Sequence, residues 1–187
     1  MIPPVLTTAR LVLRPLGAPD VDAVTEACQD PEIQRWTTVP SPYTRRDAET
    51  FVTELAPRGW AEHTLLNFGA FRRDDGALVS SIGLHARDLR HGEGIAEIGY
   101  WTATGQRGQG LTAEGVRAVC RWGFEELPVH RIEWLAVVGN EGSRAVAHRV
   151  GFHFEGTLRS RLLHRGERRD AWLGSLLPDD LTGGSPS

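Results

Sequence analysis

The stretch AEIGYWTATGQRGQGLT, Ala96 to Thr112, runs directly into AEGVRAVCRWGFEEL, Ala113 to Leu127. Ala96 to Trp101 reads as a strand. A turn carrying Arg107, Gly108 and Gly110 follows, and then Val116, Val119, Cys120, Gly123, Phe124 and Leu127 recur at helical spacing. Pro128 ends that helix, because proline cannot continue the hydrogen-bond ladder. A strand, a glycine turn and a helix in that order place the free N–H groups of a helix start at the end of a strand. Such a start attracts anions, and glycine lets the backbone come close to them. The expected ligand carries a diphosphate.

Working outward, Arg131 to Val138 (RIEWLAVV) is a strand that follows a helix, so it is expected to lie parallel to the strand before that helix. Asn140 ends it, Ser143 to Val150 forms a short helix closed by Gly151, and two further strands turn at Arg165-Gly166. Upstream, Asn67 to Arg72 and Ala77 to Leu84 form a hairpin across Asp74-Asp75-Gly76, and Arg87 to Glu93 make the turn into Ala96 to Trp101. Thr8 to Leu16 alternates as a strand. Asp20 is a candidate cap for a helix bearing Val21, Val24 and Cys28, DPEI opens a new turn at Asp30, and Thr44 caps a helix through Leu55. Trp36 and Tyr43 are expected either to wall a pocket or to pack in the core. These elements imply an α/β (α+β) fold, a mixed, mostly antiparallel sheet with helices on both faces. The expected layout is one domain over residues 1–177, then a disordered tail over 178–187.

The chain has 187 residues, 40% hydrophobic and 24% charged, an ordinary balance for a globular protein. Its net charge of −3 argues against a dedicated nucleic-acid binder. All 21 basic residues are arginine, which keeps its charge at any working pH and favours forked contacts to anions. Cys28 and Cys120 fall on apolar stripes of predicted helices and are expected to be buried thiols. No CxxC or HExxH spacing indicates a metal. The N-terminus lacks a signal-peptide pattern and no apolar run reaches membrane-span length, so a cytoplasmic location with no membrane association is expected.

Gly108-x-Gly110-x-x-Ala113 satisfies the bare dinucleotide fingerprint. Its context differs, because the preceding strand bears Glu97 and sits late in the chain, and no acidic residue ends the following strand. No Gly-Lys-Ser/Thr follows, which removes the Walker-type phosphate loop. Arg107, the glycines, the long helix and the Asn140/Ser143 pair instead resemble the GNAT acetyltransferase superfamily, whose Arg/Gln-x-x-Gly-x-Gly/Ala turn wraps the pyrophosphate of acetyl-CoA. TARLVLRPL, DPEI, EIGYW, RGQGLTAEG, VGNEGSRAVAHRVGFHFEGTLR and RRDAWLGSLL, in that order over Thr8 to Leu177, resemble its ribosomal-protein-alanine N-acetyltransferase (RimJ/RimL-like) branch. Thr112 stands where the family pattern has Gly or Ala.

The resemblance implies acetyl-CoA as co-substrate and no metal. It assigns the pyrophosphate to Arg107, Gly108, Gln109, Gly110, Leu111 and Thr112, and the pantetheine arm to Tyr100, Trp101, Thr102 and Asn140. The strand holding Tyr100 to Thr102 is expected to splay from its parallel neighbour. Ser143 matches the family's donor of a proton to the leaving thiolate, although serine also caps helices. Glu97 is the candidate base, with a surface carboxylate as its alternative. Neutralising an α-amine of pKa about 7.8 at pH 7 costs roughly 1 kcal/mol, against about 4.6 for a lysine amine, so a weak base reached through water suffices for the former. The expected acceptor is therefore a protein N-terminus, such as that of a ribosomal protein. A small amine (an antibiotic or polyamine) and a silent CoA-binding regulatory domain are the alternatives. Arg159, Arg161, Arg165, Arg168 and Arg169 cluster around the turn of the terminal hairpin, where a solvated face or a homodimer contact is expected to use them, with RNA contact as the alternative.

Overall fold

Leu11 and Leu13 alternate with Val12 and Arg14, and that period of two sends the leucines into the core at 0% exposure. The same alternation recurs along the chain and builds an eight-stranded sheet. The computed structural model describes residues 2–86 and 94–182. The predicted turn Arg87 to Glu93 and the last part of the predicted tail, 183–187, lie outside the described residues.

The strands are β1 (Leu6–Thr7), β2 (Leu11–Arg14), β3 (Leu65–Arg72), β4 (Leu78–His85), β5 (Ile95–Thr102), β6 (Arg131–Val137), β7 (His153–His164) and β8 (Glu167–Leu176). They lie side by side in the order β1-β2-β3-β4-β5-β6-β8-β7. β5 and β6 run parallel and every other neighbouring pair is antiparallel.

The helices are α1 (Val21–Ala27), α2 (Pro31–Trp36), α3 (Arg45–Thr50), α4 (Ala56–Glu62), α5 (Leu111–Glu126), α6 (Glu141–Val150) and α7 (Pro178–Thr182). One core joins α5 and α6 to the sheet face bearing Leu66, Phe68, Ile82, Ile98 and Ile132. A second core, with Val24, Cys28, Ile33, Tyr43, Val52 and Phe71, seats α1 to α3 on the other face. Helices therefore cover both faces, as the pattern predicts. Both cysteines are buried and free.

Three local expectations change. Asp20 does not cap α1 with its side chain. Its carboxylate accepts the Gly17 backbone N–H at 2.8 Å and two Arg14 N–H groups at 2.7 and 2.8 Å. The helix expected to end at Leu55 continues through a π turn, Phe51–Leu55, into α4. Pro57 sits at the junction of the π turn with α4, and burial of Trp60 against Phe68 and Trp122 rewards the extra turns. Finally, Pro178–Thr182 is helical, so regular structure runs past the boundary expected at Leu177.

Candidate active site

Pairing between β5 and β6 stops at Ile98↔Trp134, yet β5 continues to Thr102 and β6 to Val137. β6 stays paired with β8 up to Val137, and β5 stays paired with β4 up to Thr102. The two parallel strands therefore part like a V. The β6-facing backbone of Gly99 to Thr102 is left without a strand partner, an edge that an extended amide-bearing chain can join.

A cleft of about 1010 Å³ opens at this V. Tyr100 to Thr102, the turn residues Gln106 to Gly108 and Gly110, the first turn of α5, one side of α6 and one side of α2 line it. Gly108 and Gly110 hold φ values of +75° and +74°, a backbone conformation that glycine adopts without strain. Gly110 stands at the N-cap of α5 with no side chain capping the helix. The first N–H groups of a 16-residue helix thus face the cleft uncapped, with the positive end of its dipole.

Thr112, the position least like the family pattern, is buried, and its hydroxyl meets that of Thr102 at 2.6 Å. That bond ties the end of β5 to the first turn of α5. Gln109 does not line the cleft. Its side-chain amide donates to Gly105 O at 3.1 Å and its carbonyl accepts from Arg10 at 3.0 Å. Arg107 does line the cleft, but its guanidinium is paired with Asp30 at 2.5 Å and also reaches Thr102 O. Arg149 of α6 comes over the turn, its Nη1 only 2.8 Å from where a side chain on Gly110 would begin. Among the described residues Arg149 has no hydrogen bond or ion pair. Sequence reasoning did not single out Arg149, Arg144 or His148. The Arg-x-x-x-His-Arg spacing on α6 was the signal, since it puts Arg144 and His148 one turn apart on one face.

Asn140, not Ser143, caps α6: its Oδ1 accepts the Ser143 N–H at 3.2 Å. The Ser143 hydroxyl is thereby freed from capping. Trp134 Nε1–H donates to Ser143 Oγ at 2.8 Å, and Ser143 Oγ lies 3.3 Å from Tyr100 Oη. The Tyr100 hydroxyl donates to the Ser143 carbonyl at 2.8 Å. Burial pushes the Tyr100 phenol well above its ordinary pKa, so it stays neutral.

Glu97 is exposed on the sheet face opposite Ile98 and does not line this cleft. Its register neighbours are His85 on β4 and Glu133 on β6. Trp36 lines the cleft, whereas Tyr43 is buried in the second core, so the two aromatics divide between the two roles expected.

Among the described residues no group of His, Cys, Asp or Glu side chains is arranged to hold a metal ion, and no helix is long and apolar enough to cross a membrane. The Gln106 Oε1 is buried in the cleft lining with no hydrogen-bond partner among the described residues. An unpaired acceptor, a row of uncapped N–H donors and an unpaired arginine fit a ligand with amide donors and phosphate oxygens.

The model of the acetyltransferase (GNAT) domain family matches residues 10–153, which contain the V, the turn and both flanking helices. The chain belongs to the GNAT acetyltransferase family. Within it, a putative ribosomal N-acetyltransferase, YdaF, of Bacillus subtilis is 40% identical over 109 residues, covering 58% of this chain and 58% of that protein. A putative ribosomal-protein-serine acetyltransferase from Vibrio cholerae superposes with a TM-score of 0.79 at 25% identity, over 93% of this chain and 97% of that one. RimL, a ribosomal L7/L12 α-N-protein acetyltransferase solved with coenzyme A, shares the fold with a TM-score of 0.82 at 19% identity, over 95% and 99% of the two chains. In this GNAT protein the mixed, mostly antiparallel sheet with its helices thus follows the fold of its family.

Proposed function

We propose that this protein transfers the acetyl group of acetyl-CoA directly to an amine, the N-terminal α-amine of a protein such as a ribosomal protein. The observation that carries the reading is the divergence of β5 and β6 beside the uncapped start of α5. One arm of the V offers backbone to pantetheine amides, and the helix start offers N–H groups to a diphosphate. The ribosomal relatives support the choice of acceptor.

Gly108, Gly110, Leu111 and Thr112 supply the turn, Arg149 supplies an unpaired cation, and Gln106 and Asn140 face the arm. The amine nitrogen attacks the thioester carbonyl, and the C–S bond then breaks. Ser143 gives its hydroxyl proton to the departing sulfur, while Trp134 Nε1–H stabilises the oxygen left behind. Glu97 takes the amine proton through water from the opposite face of β5. An α-amine needs only this weak base. This reading sets the reaction in the cytoplasm, where ribosomal proteins are made.

The test incubates the protein with acetyl-CoA and peptides bearing a free N-terminal Ala or Ser, and follows thiol release. Acetyl-CoA that fails to bind in calorimetry overturns the enzyme reading. Turnover with polyamines but not with peptides overturns the acceptor.

A further inference from the structure

Arg107 is the cation at the mouth of the turn, yet its guanidinium is already committed. The Arg107 Nη2 meets Asp30 Oδ2 at 2.5 Å and Thr102 O at 3.3 Å. Asp30 lies 77 residues earlier and its side chain is only 9% exposed. The same carboxylate accepts the Glu32 backbone N–H at 2.8 Å, as the N-cap of α2, and the Thr104 hydroxyl at 2.6 Å. One side chain therefore joins three things: the start of α2, the turn segment Thr104–Gln106, and Arg107 at its end. Partial burial works against the charge, but the bonds from Thr104, the Glu32 N–H and Arg107 together hold the Asp30 carboxyl below its usual range.

The position of α2 gives the junction its consequence. Glu32, Ile33, Trp36 and Thr37 form one wall of the cleft, and the Trp36 ring approaches Gly139 of the β6–α6 loop. Resting on the proposed acetyl-CoA reading, we infer that Arg107 is a strut rather than a phosphate ligand, and that Asp30 is a positioning residue that locks the cofactor turn to the α2 wall. Arg149, with no hydrogen bond or ion pair among the described residues, is then the side-chain cation that meets phosphate. Binding at the turn and placement of the α2 wall become linked through one carboxylate, because loosening either end frees the other.

The two roles for Arg107 predict opposite signs. If Arg107 were a phosphate ligand, Asp30 would compete with the diphosphate for it. Removing the Asp30 charge would then strengthen coenzyme A binding. If Arg107 is a strut, the same change releases the turn and weakens binding, even though it deletes a negative charge near an anionic ligand. Asp30→Asn suits the test, since Asn caps α2 about as well as Asp. Thr104→Val removes the second bond without altering any charge.

Coenzyme A affinity is measured by calorimetry on the full chain for wild type, Asp30→Asn, Arg107→Ala, the double variant and Thr104→Val, with thermal unfolding of each. The expected result is about a fivefold to tenfold weaker Kd for each of the first two variants, and a double variant no weaker than the worse single one. Thr104→Val should weaken binding in the same direction by a smaller factor. Unchanged or tighter binding in Asp30→Asn overturns the strut, and so do additive effects of the two substitutions. Wild-type protein that binds no coenzyme A overturns instead the reading on which the strut rests.

Discussion

Trp134 Nε1–H points at Ser143 Oγ, 2.8 Å away, across the gap between β6 and α6. Trp134 is 2% exposed, and its buried donor is satisfied by that hydroxyl. The serine oxygen is therefore held at one place in the cleft wall, with its own proton directed to Tyr100 Oη at 3.3 Å. Asn140 performs the capping that Ser143 would otherwise share.

Ser143→Ala should consequently leave α6 intact. The expected outcome is a fall in kcat of about 10²–10³-fold, with the coenzyme A Kd moving less than about threefold. Steady-state thiol release and calorimetry check the two halves separately. Trp134→Phe keeps most of the ring but loses the donor, and should lower kcat by about tenfold. A Ser143→Ala enzyme with normal kcat would remove serine from the chemistry.

Arg149 makes no ion pair among the described residues, so its removal should cost the fold little. Arg149→Gln is expected to change stability by less than about 0.5 kcal/mol. A charged hydrogen bond to phosphate contributes about 1.5–3 kcal/mol, so coenzyme A should bind roughly tenfold to a hundredfold more weakly. The salt dependence of binding should also become shallower, because one fewer charge pair is screened. Binding isotherms at several salt concentrations decide it, and an unchanged Kd would take Arg149 out of the phosphate site.

The contrast between Arg107 and Arg149 shows what the sequence made legible. Strand, glycine turn and helix are local, and their spacing specified the turn and α5 before any contact was known. The parting of β5 and β6 follows a resemblance, and the register shows where it starts. The Asp30–Arg107 pair joins residues 77 apart and has no periodicity to betray it. Arg149 sits at the far end of α6, and only the packing of α6 against α5 brings it over Gly110. Asp20 carries an N-cap signature, yet Arg14 competes for its carboxylate and wins with two hydrogen bonds. Local rules read element boundaries well, whereas the partner a charged side chain chooses is a tertiary outcome.

The two thiols provide a simple check on the core. Burial pushes Cys28 up to about 12, and it raises Cys120 still further. The thiolate is the reactive species, and at pH 8 it is scarce at both positions. Iodoacetamide should modify native protein more than about a hundredfold slower than protein unfolded in denaturant. Rapid labelling of either cysteine in the native state would contradict the packing of α1 or α5.

Acid should weaken the fold through Asp20. Partial burial raises its pKa, but the bonds from Arg14 and the Gly17 N–H outweigh that and hold the folded value below the ordinary one. A carboxylate depressed in the folded state stabilises fully above its unfolded pKa of about 3.9. That contribution disappears as the pH falls through the folded value. Glu155, held at about 2 chiefly by Arg131, titrates in the same window. Denaturant midpoints should accordingly stay level from pH 7 to about 5 and fall steeply below about 4. Asp20→Asn should cost about 1–3 kcal/mol at pH 7, because Arg14 and the Gly17 N–H lose a charged acceptor. The variant's loss between pH 5 and 3 should be smaller than wild type's, with Glu155 accounting for part of what remains. Parallel curves for the two proteins across that window would show that the Arg14–Asp20 pair contributes nothing to the acid response.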